Sequence, residues 1–326
     1  MKILIIGAAG MLGGQLVNKL AARGTLGESA ISKITRHDVV LPPPPPPSSF
    51  PIETIMSDMA ADGQAAAALK DRPDIIFHLA AIVSGEAEAD FEKGYRINLD
   101  GTRNLLEAIR LQGQDYKPKL IFTSSIAVFG TPFPTAIDDE FLSAPLTSYG
   151  TQKAICELLI SDYSRRGILD GIAMRMPTVC VRPGKPNKAA SGFFSNIIRE
   201  PLVGLEAVLP VDDSVRHWHA SPRAAVNMLV HAAELDANKL GARRAISMPG
   251  LSCTVAEQIA ALTKVAGLSA AKLIRREADP VIQKIVSGWP QNFVPKRAIE
   301  LGFVADDSFE QIIRIHIEDQ LQGKLV

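Results

Sequence analysis

Tyr149 and Lys153 lie four residues apart in the run 147–153, a spacing that stacks two side chains on one face of a helix. A phenol with an ordinary pKa of about 10 is a poor base. A neighbouring ammonium group favours the phenolate and lowers that pKa. Tyr-x-x-x-Lys is therefore one way to build a general base that removes the proton of an alcohol. The spacing also arises by chance in many helices, so the rest of the chain must supply the other parts of a site.

Two serines follow a predicted strand at residues 119–124. Ser124 and Ser125 therefore lie at a carboxyl strand end, where ligands bind in open α/β sheets. Together with Tyr149 and Lys153 they complete a possible catalytic set. In such a set a serine hydrogen-bonds the reacting oxygen, a tyrosine takes its proton, and a lysine lowers the pKa of the tyrosine.

Gly7, Gly10 and Gly13 follow a short apolar strand and open an amphipathic helix that Gly24 ends. The first glycine allows a tight turn, the second lets the backbone approach a pyrophosphate, and the third lets helix and strand pack closely. Phosphates then sit at the helix N-terminus, where free N–H groups and the helix dipole favour anions. The pattern predicts a dinucleotide site.

Acidic residues follow the next two predicted strands. Asp38 is placed to accept hydrogen bonds from the adenosine ribose hydroxyls, and its charge would repel the extra phosphate of NADP, so NAD is favoured. Arg36 and His37 argue the other way, and Asp38 as a plain loop residue is the alternative. Asp58 is a candidate acceptor for the adenine amino group, and a solvated turn aspartate is the alternative.

Strand-like and helix-like patterns alternate through the first half of the chain. The predicted strands are 2–6, 31–35, 52–56, 74–79, 119–124 and 171–176, and helices are predicted at 91–112 and 149–166. This alternation implies an α/β fold, a Rossmann doubly wound parallel sheet covered by helices, with a smaller C-terminal substrate-binding domain. We expect residues 1–178, joined by 216–248, to form the NAD-binding domain, and 179–215 and 249–326 to form the second domain.

After residue 177 the pattern loosens. Helices are predicted at 222–235, 254–267 and 308–321, the second of them opened by a capping box of Thr254 and Glu257. Residues 279–295, which include Trp289, are predicted to be irregular. Prolines 42–47 lack N–H groups and predict a polyproline II surface loop between strand and helix, with an SH3-type ligand as the alternative.

The composition argues against several classes of protein. Lys and Arg number 35 and so do Asp and Glu, and this balance argues against a nucleic-acid surface or a strongly charged membrane surface. Cys156, Cys180 and Cys253 are odd in number and widely spaced, which predicts neither disulfides nor a zinc site and favours a reducing, cytoplasmic compartment. The apolar start is too short for a signal peptide, and no run of about 18 apolar residues predicts a membrane span.

Five motifs together resemble the extended short-chain dehydrogenase/reductase family, the NAD-dependent epimerases and dehydratases. They are residues 7–13, 78–81, 98–102, 123–130 and 149–153. The resemblance implies a catalytic triad of Ser125, Tyr149 and Lys153, and Phe129 departs from the tyrosine usual at its position. The cofactor contacts that it implies are Gly7, Ala9, Gly10, Met11, Leu12, Gly13, Asp38, Asp58, Leu79, Ala80, Ala81, Asn98, Tyr149, Lys153 and Pro177.

The second half of the chain bears on the substrate. Residues 216–223 resemble an altered form of the epimerase run Arg-Asp-aromatic-aliphatic-His-Val-Asp-Asp. Arg216, which in the epimerases approaches the nucleotide diphosphate, is retained. Pro222 and Arg223 replace the paired aspartates, which argues against a nucleotide-sugar substrate.

Residues 176–187, 84–86 and 287–290 resemble the D-erythronate dehydrogenase branch of the family, which oxidises a small 2-hydroxy acid at C2 with NAD. The substrate contacts that this implies are Ser84, Ser125, Thr178, Arg182 and Arg216. The cations Arg182, Lys185, Arg216 and Arg223 exceed what a neutral sugar requires, and the planar guanidinium suits a carboxylate. For each cation, a plain surface charge is the alternative.

The predicted function is therefore the oxidation of D-erythronate to 2-dehydro-D-erythronate. The alternatives are a nucleotide-sugar epimerase or dehydratase with tightly bound NAD, and a non-catalytic NAD sensor or scaffold. The family resemblance also implies a homodimer through helices 98–112 and 149–166. Their apolar residues would equally suit packing on the sheet: Leu105, Leu106, Ile155, Leu158 and Leu159.

Overall fold

The computed structural model describes residues 1–184 and 190–325. These fall into two compact units. The first contains Met1–Val128, Thr147–Arg175 and Val226–Ser247, and the second contains the described parts of Phe129–Leu146, Met176–Ala225 and Met248–Val326. Segments 129–146, 176–178 and 216–225 and Met248 were expected in the NAD-binding domain, and they are in the second unit.

A seven-stranded sheet forms the centre of the first unit. Its strands in spatial order are Ala245–Ser247, Asp170–Met176, Lys119–Ser125, Ile75–His78, Lys2–Ile6, Lys33–Asp38 and Ile52–Met56. Neighbouring strands pair in parallel. The chain starts at an inner strand and adds later strands on both sides, which is the doubly wound Rossmann order. The predicted α/β fold class is confirmed.

The second strand of the chain differs from its prediction. It spans Lys33–Asp38 rather than 31–35, because the N–H of Ile31 donates to the carbonyl of Gly24 and leaves the sheet to begin at Lys33. Thr25–Leu26 and Ser29–Ala30 form a small antiparallel hairpin before it. Asp38 is therefore the last residue of the strand, paired with Met56, and not a loop residue that follows it.

Helices cover the sheet of the first unit. Those with α-helical geometry are Met11–Arg23, Gln64–Ala68, Ser84–Ala89, Phe91–Gly94, Gly101–Leu111 and Ser148–Arg165, and Pro222–Glu234 enters this unit from the second. Short 3₁₀ turns occupy Ile126–Val128 and Ala237–Leu240, and Tyr95–Asp100 is a π-helical segment. Leu105 and Leu106 are fully buried in the core. They pack on the sheet, whereas Leu158 is 73% exposed.

The second unit is built from short strands and five helices in its described part. Its strands are Ile137–Asp138, Thr178–Val179, Ala207–Leu209, Arg216–Ala220, Leu251–Thr254, Ile274–Arg276 and Phe293–Val294. Its helices are Gly192–Leu202, Val255–Ala271, Pro280–Ser287, Lys296–Glu300 and Phe309–Leu321. Phe194, Leu262 and Ile312 belong to its buried core.

Two predictions for the second unit need correction. Residues 279–295 are not wholly irregular, because Pro280–Ser287 forms a helix whose first N–H groups are capped by Asp279. The helix predicted to end at Gly267 continues to Ala271, with a kink where Gly267 has a φ of 85°. Its predicted capping box of Thr254 and Glu257 is confirmed. In the described residues, no helix is long and apolar enough to cross a membrane.

Candidate active site

The helix Ser148–Arg165, here called the Tyr149 helix, carries two of the predicted catalytic residues. The hydroxyl of Thr147 caps it by accepting a hydrogen bond of 3.1 Å from the N–H of Gly150. Tyr149 lies in the first turn and Lys153 one turn later, with Lys153 Nζ 5.7 Å from the centre of the Tyr149 ring. The structure thus places the ammonium group beside the phenol, as the spacing predicts.

Lys153 is buried at the end of a strand. It is 2% exposed, and its Nζ donates a hydrogen bond of 2.7 Å to the backbone oxygen of Thr123. Burial lowers the pKa of Lys153 to about 8, against the opposing effect of Cys156 and Glu157. The lysine is therefore fixed in position, and its proton is held only moderately tightly.

Ser124 and Ser125 have different surroundings, because successive side chains of a strand point to opposite faces. Ser124 is buried and donates a hydrogen bond of 2.5 Å to Oε1 of Glu157. Ser125 ends the strand, is only half-buried, and accepts a hydrogen bond of 3.1 Å from the N–H of Ala127. The hydroxyl hydrogen of Ser125 is not used in that bond. The geometry therefore favours Ser125, and not Ser124, as the residue that meets a substrate.

Glu157 is a residue that the sequence analysis missed. Its carboxylate is almost fully buried and receives two nitrogens of Arg175, Nε at 3.0 Å and Nη2 at 2.8 Å. One signal in the sequence could have found it. Tyr149, Lys153 and Glu157 follow one another at four-residue steps, so all three lie on one helical stripe.

The glycine turn has the shape that a pyrophosphate requires. Gly7 has a φ of 89°, and a Cβ on it would lie 2.6 Å from the nitrogen of Ala80. A Cβ on Gly13 would lie 2.2 Å from the oxygen of Gly7. At Gly10 the added atom would meet only that same oxygen, at 3.3 Å, and the helix that starts at Met11 has no side-chain cap. The open backbone and uncapped N–H groups fit a dinucleotide phosphate.

Asp38, the residue expected to meet the adenosine ribose, is bonded to the glycine turn. Its Oδ2 accepts from the N–H of Ala9 at 2.8 Å, and its Oδ1 accepts from the N–H of Val39 at 2.8 Å. Arg36 is buried, and its guanidinium donates to the oxygen of Pro43 and the hydroxyl of Thr54. The imidazole of His37 lies 2.7 Å from the hydroxyl of Ser57. The side chains of Arg36 and His37 are therefore bound to other groups of the protein, so these residues no longer favour NADP over NAD.

The other predicted cofactor residues lie on or near segments that follow strands of the central sheet. Asp58 receives Arg96 Nη1 at 2.5 Å and the N–H of Ala60 at 2.9 Å. Burial alone would raise the pKa of Asp58, but these hydrogen bonds outweigh it and the net pKa is lowered. Asn98 is buried, and its side chain bonds Ile82 and Gln152. The remaining members open the first helix or follow the strand Ile75–His78: Met11, Leu12, Leu79, Ala80 and Ala81.

Two predicted ligand contacts lie on or beside a short strand of the second unit. Pro177 is buried, and it directly precedes the strand Thr178–Val179. Oγ1 of Thr178 lies 2.7 Å from Nε2 of His217, and Nδ1 of that imidazole lies 3.0 Å from the oxygen of Pro290. Because a carbonyl only accepts, Nδ1 carries the proton and Nε2 accepts the hydroxyl hydrogen of Thr178. Ser84, in the first unit, is half-buried and begins the helix Ser84–Ala89.

The predicted cations of the second unit have protein partners. Arg182 donates to the oxygen of Val179 and the hydroxyl of Ser191. Arg216 donates to the oxygen of Ser252 at 3.2 Å and lies 3.2 Å from a carboxylate oxygen of Glu257, with 35% of its side chain exposed. Arg223 pairs with two acidic residues of the last helix, Glu318 and Asp319. Lys185 lies outside the described residues.

Charge alone therefore does not identify a substrate contact among these arginines. Arg223 is paired with two carboxylates, whereas within residues 1–184 and 190–325 Arg216 meets one, at a longer distance. Among the described residues, no group of three or more His, Cys, Asp or Glu side chains is arranged to hold a metal ion.

The fold and the arrangement of the site agree with one family. The model of the NAD dependent epimerase/dehydratase family matches residues 3–238, and the chain belongs to that family. NAD is therefore its cofactor, and the protein is an enzyme of the nicotinamide-dependent class.

Comparison with individual relatives gives a more specific similarity than the family alone. The chain is 46% identical over 323 residues to the D-erythronate dehydrogenase of Cupriavidus necator, with 98% of each chain covered. It is 41% identical over 318 residues to the D-erythronate dehydrogenase of Haemophilus influenzae, with 98% of this chain and 99% of the relative covered. The similarity to D-erythronate dehydrogenases expected from the sequence is confirmed.

Solved structures of relatives share the fold. One from Agrobacterium tumefaciens, described as a nucleoside-diphosphate-sugar epimerase, is 61% identical with a TM-score of 0.97, covering 100% of this chain and 96% of its own. An L-threonine dehydrogenase from Clostridium difficile has a TM-score of 0.85 at 23% identity, covering 100% of this chain and 99% of its own. The second similarity concerns the fold alone.

Proposed function

We propose that this protein oxidises a small 2-hydroxy sugar acid at C2 with NAD, and that the acid is D-erythronate. The product is then 2-dehydro-D-erythronate. The observation that carries the proposal is the similarity to two D-erythronate dehydrogenases over almost the whole chain. The surroundings of Ser125, Tyr149 and Lys153 support it, because they provide the parts that oxidation of an alcohol requires.

In the proposed mechanism, Tyr149 acts as a phenolate and takes the proton of the C2 hydroxyl. Ser125 donates its hydroxyl hydrogen to the same oxygen and stabilises the negative charge that develops there. Lys153 stabilises the phenolate by its positive charge. Bound NAD supplies the acceptor for the hydride that leaves C2. A general base of this kind contributes about 10²–10⁴-fold to the rate.

The second unit is proposed to bind the carboxylate end of the acid. Thr178 presents a hydroxyl whose hydrogen is already donated to His217, so toward a ligand it can only accept. Thr178 is therefore proposed to accept a hydrogen bond from a hydroxyl of the acid, and not to bind its carboxylate. Arg216 is the stronger of the two arginine candidates, because it is partly exposed and its single carboxylate partner is more than 3 Å away. Arg182 is the second candidate. Ser84 is proposed to contact the substrate from the first unit.

A nucleotide-sugar epimerase is the second candidate function. It is favoured by the Agrobacterium structure, which is 61% identical and is described as a nucleoside-diphosphate-sugar epimerase. An epimerase uses the same catalytic residues but returns the hydride to the sugar, so no NADH accumulates. The replacement of the paired aspartates by Pro222 and Arg223 argues against it.

One assay separates the two functions. The protein is incubated with NAD and a panel of aldonates of three to six carbons, and the NADH absorbance band is followed. We expect net NADH with D-erythronate and none with UDP-sugars. If the protein interconverted a UDP-sugar without forming NADH, and formed no NADH with any aldonate, the epimerase function would be established instead.

We further propose a homodimer and a cytoplasmic location. Leu111 and Leu158 lie on the two helices implied as the interface, and each is 73% exposed, which favours burial against a second copy. Cys156, Cys180 and Cys253 are buried free thiols, which suits a reducing compartment. Light scattering after gel filtration tests the dimer, with Leu158→Glu as the variant expected to be monomeric. A wild type that elutes as a monomer would refute the dimer.

A further inference from the structure

The Tyr149 helix presents three functional groups in a row. Tyr149, Lys153 and Glu157 are spaced by four residues, so their side chains leave the same face of the helix. The site described above uses the first two. Glu157 is 3% exposed, and a carboxylate taken that far from water is costly unless it is paired and hydrogen-bonded.

Glu157 and Lys153 connect the helix to two consecutive residues of one strand. Lys153 Nζ donates to the backbone oxygen of Thr123 at 2.7 Å. Glu157 Oε1 accepts from the hydroxyl of Ser124 at 2.5 Å. Both contacts come directly before Ser125, the last residue of the strand. The position of Ser125 relative to the phenol of Tyr149 is therefore fixed by these two hydrogen bonds.

A neighbouring strand holds the carboxylate of Glu157 in place. Arg175, on the strand Asp170–Met176, donates Nε to Oε1 at 3.0 Å and Nη2 to Oε2 at 2.8 Å. A bidentate pair fixes the plane of a carboxylate as well as its position. Glu157 thus joins the Tyr149 helix to the ends of two adjacent strands.

We propose that Glu157 is a positioning residue for the reaction: its carboxylate holds the strand end that carries Ser125 against the helix face that carries Tyr149 and Lys153, and it places a negative charge one helical turn from Lys153. The proposal rests on the function proposed above for the identity of the reaction. It assigns to Ser124 the role of a connector, since the hydroxyl of Ser124 reaches Glu157 and not the substrate.

The charge effect follows from the groups that face Lys153. From its own helix these are Tyr149, Cys156 and Glu157, and from the neighbouring strand His78. Burial lowers the pKa of His78 to about 3, so that imidazole is neutral. Glu157 is the carboxylate in this set. Removing its charge also breaks its ion pair with Arg175, and both changes lower the pKa of Lys153.

The first test breaks the connection without placing an unpaired charge in the core. Ser124→Ala removes only the hydroxyl and leaves the pair of Glu157 and Arg175 intact. The matched control is Ser164→Ala. Like Ser124, Ser164 has a buried hydroxyl that links the Tyr149 helix to a strand of the sheet, because it accepts a hydrogen bond of 3.0 Å from the N–H of Gly171. Ser124→Ala loses the hydrogen bond to Glu157, and Ser164→Ala loses two, the one from Gly171 and one of 2.7 Å to the oxygen of Ile160.

We expect Ser124→Ala to lower kcat by about ten- to a hundredfold, because small misplacements of reacting groups are costly. The KM for NAD should stay unchanged. Ser164→Ala should keep the wild-type kcat although its loss of melting temperature is at least as large. Equal kcat in the two variants would reduce the network to a stabilising one and overturn the proposal.

The second test needs no substrate. In protein with ¹³C-labelled lysine, the titration of Lys153 is compared between wild type and Glu157→Gln, and Lys153→Met identifies its signal. We expect the titration of Lys153 to move to lower pH in Glu157→Gln, and an unchanged titration would overturn the charge role. A wild type that forms no NADH from any aldonate would refute the proposed substrate and leave this titration valid.

Discussion

The hydroxyl of Thr178 donates its hydrogen to Nε2 of His217, 2.7 Å away. The imidazole can accept this hydrogen only while it is neutral, and the oxygen of Pro290 fixes the proton on Nδ1. Burial, opposed by that bond to Pro290, lowers the pKa of His217 to about 4. A residue proposed to bind substrate is thus oriented by a histidine that stays uncharged throughout the neutral range.

Stability should therefore fall in mild acid. Burial also lowers the pKa of His78 to about 3 and of His316 to about 4, from an ordinary value of 6.5. Below pH 6.5 the unfolded chain binds protons that the folded chain does not, so stability is full above 6.5 and is lost as the pH falls toward 4. Each such histidine contributes a loss of up to about 1.4 kcal/mol per pH unit.

Urea unfolding at about pH 7 and about pH 5 measures this loss, in a window that lies above the ordinary carboxyl pKa values. We expect a clearly lower midpoint at the acid pH. Identical midpoints would show that these imidazoles accept protons in the folded protein.

Tyr149→Phe should abolish turnover and leave NAD binding nearly intact. The variant loses only a hydroxyl at the catalytic end, whereas the glycine turn and Asp38 hold the other end of the cofactor. The rate of NADH formation measures turnover, and a calorimetric titration with NAD measures cofactor binding. If more than about a tenth of the wild-type kcat remained, Tyr149 would not be the base, because a general base contributes at least about 10²-fold.

NAD should be strongly preferred over NADP. Asp38 lies beside the expected ribose position, and Arg36 and His37 are bound to other groups of the protein. A carboxylate that meets a phosphate without a partner costs on the order of 1–3 kcal/mol or more. Steady-state kinetics with both cofactors give the ratio of kcat/KM. Asp38→Ala should bring the two values closer together, and equal values in the wild type would remove Asp38 from the role given to it.

Binding of the substrate carboxylate should depend on an arginine of the second unit. Arg216→Ala or Arg182→Ala is expected to cut kcat/KM for D-erythronate by roughly ten- to a hundredfold, the equivalent of a charge-assisted hydrogen bond of about 1.5–3 kcal/mol. The effect should fall mainly on KM. Arg275→Ala is the matched control, because Arg275 is exposed and pairs only with an exposed Glu277 in the described structure.

Erythritol, the corresponding neutral polyol, gives the second control for this prediction. It should be a very poor substrate of the wild type, and its slow oxidation should not respond to either arginine substitution. Erythritol oxidised as fast as the acid would contradict the recognition of a carboxylate.

Much of the first unit could be predicted from the sequence because its signals are local. A buried parallel strand is a short apolar run. Gly13 is required by its contact with the oxygen of Gly7, six positions away, and Gly7 by the turn in which its φ is 89°. Tyr149 and Lys153 are visible because one helix turn brings them together. The start of the second strand could not be predicted, since the hydrogen bond from Ile31 to Gly24 depends on a hairpin that the pattern does not reveal.

The environment of the charged residues could not be predicted from the sequence. Arg182, Arg216 and Arg223 look alike in the sequence, yet the structure gives each of them different acceptors. Arg182 bonds Val179 and Ser191, which are near it in the chain, whereas Arg216 and Arg223 meet carboxylates from distant segments. The difference between Ser124 and Ser125 has the same origin. It depends on Glu157, which is 33 positions away from Ser124 and is brought close only by the packing of helix on strand.

The contact between Arg36 and Pro43 has a practical consequence. Arg36 is buried and binds the backbone oxygen of Pro43, an atom that every amino acid possesses. The proline-rich connection is thus anchored by its main chain and carries no requirement for particular side chains at that point. Five of the prolines at 42–47 are at least partly accessible to solvent. This loop is therefore a suitable place to insert an epitope or a fluorescent tag, as long as the new segment leaves one carbonyl within reach of Arg36.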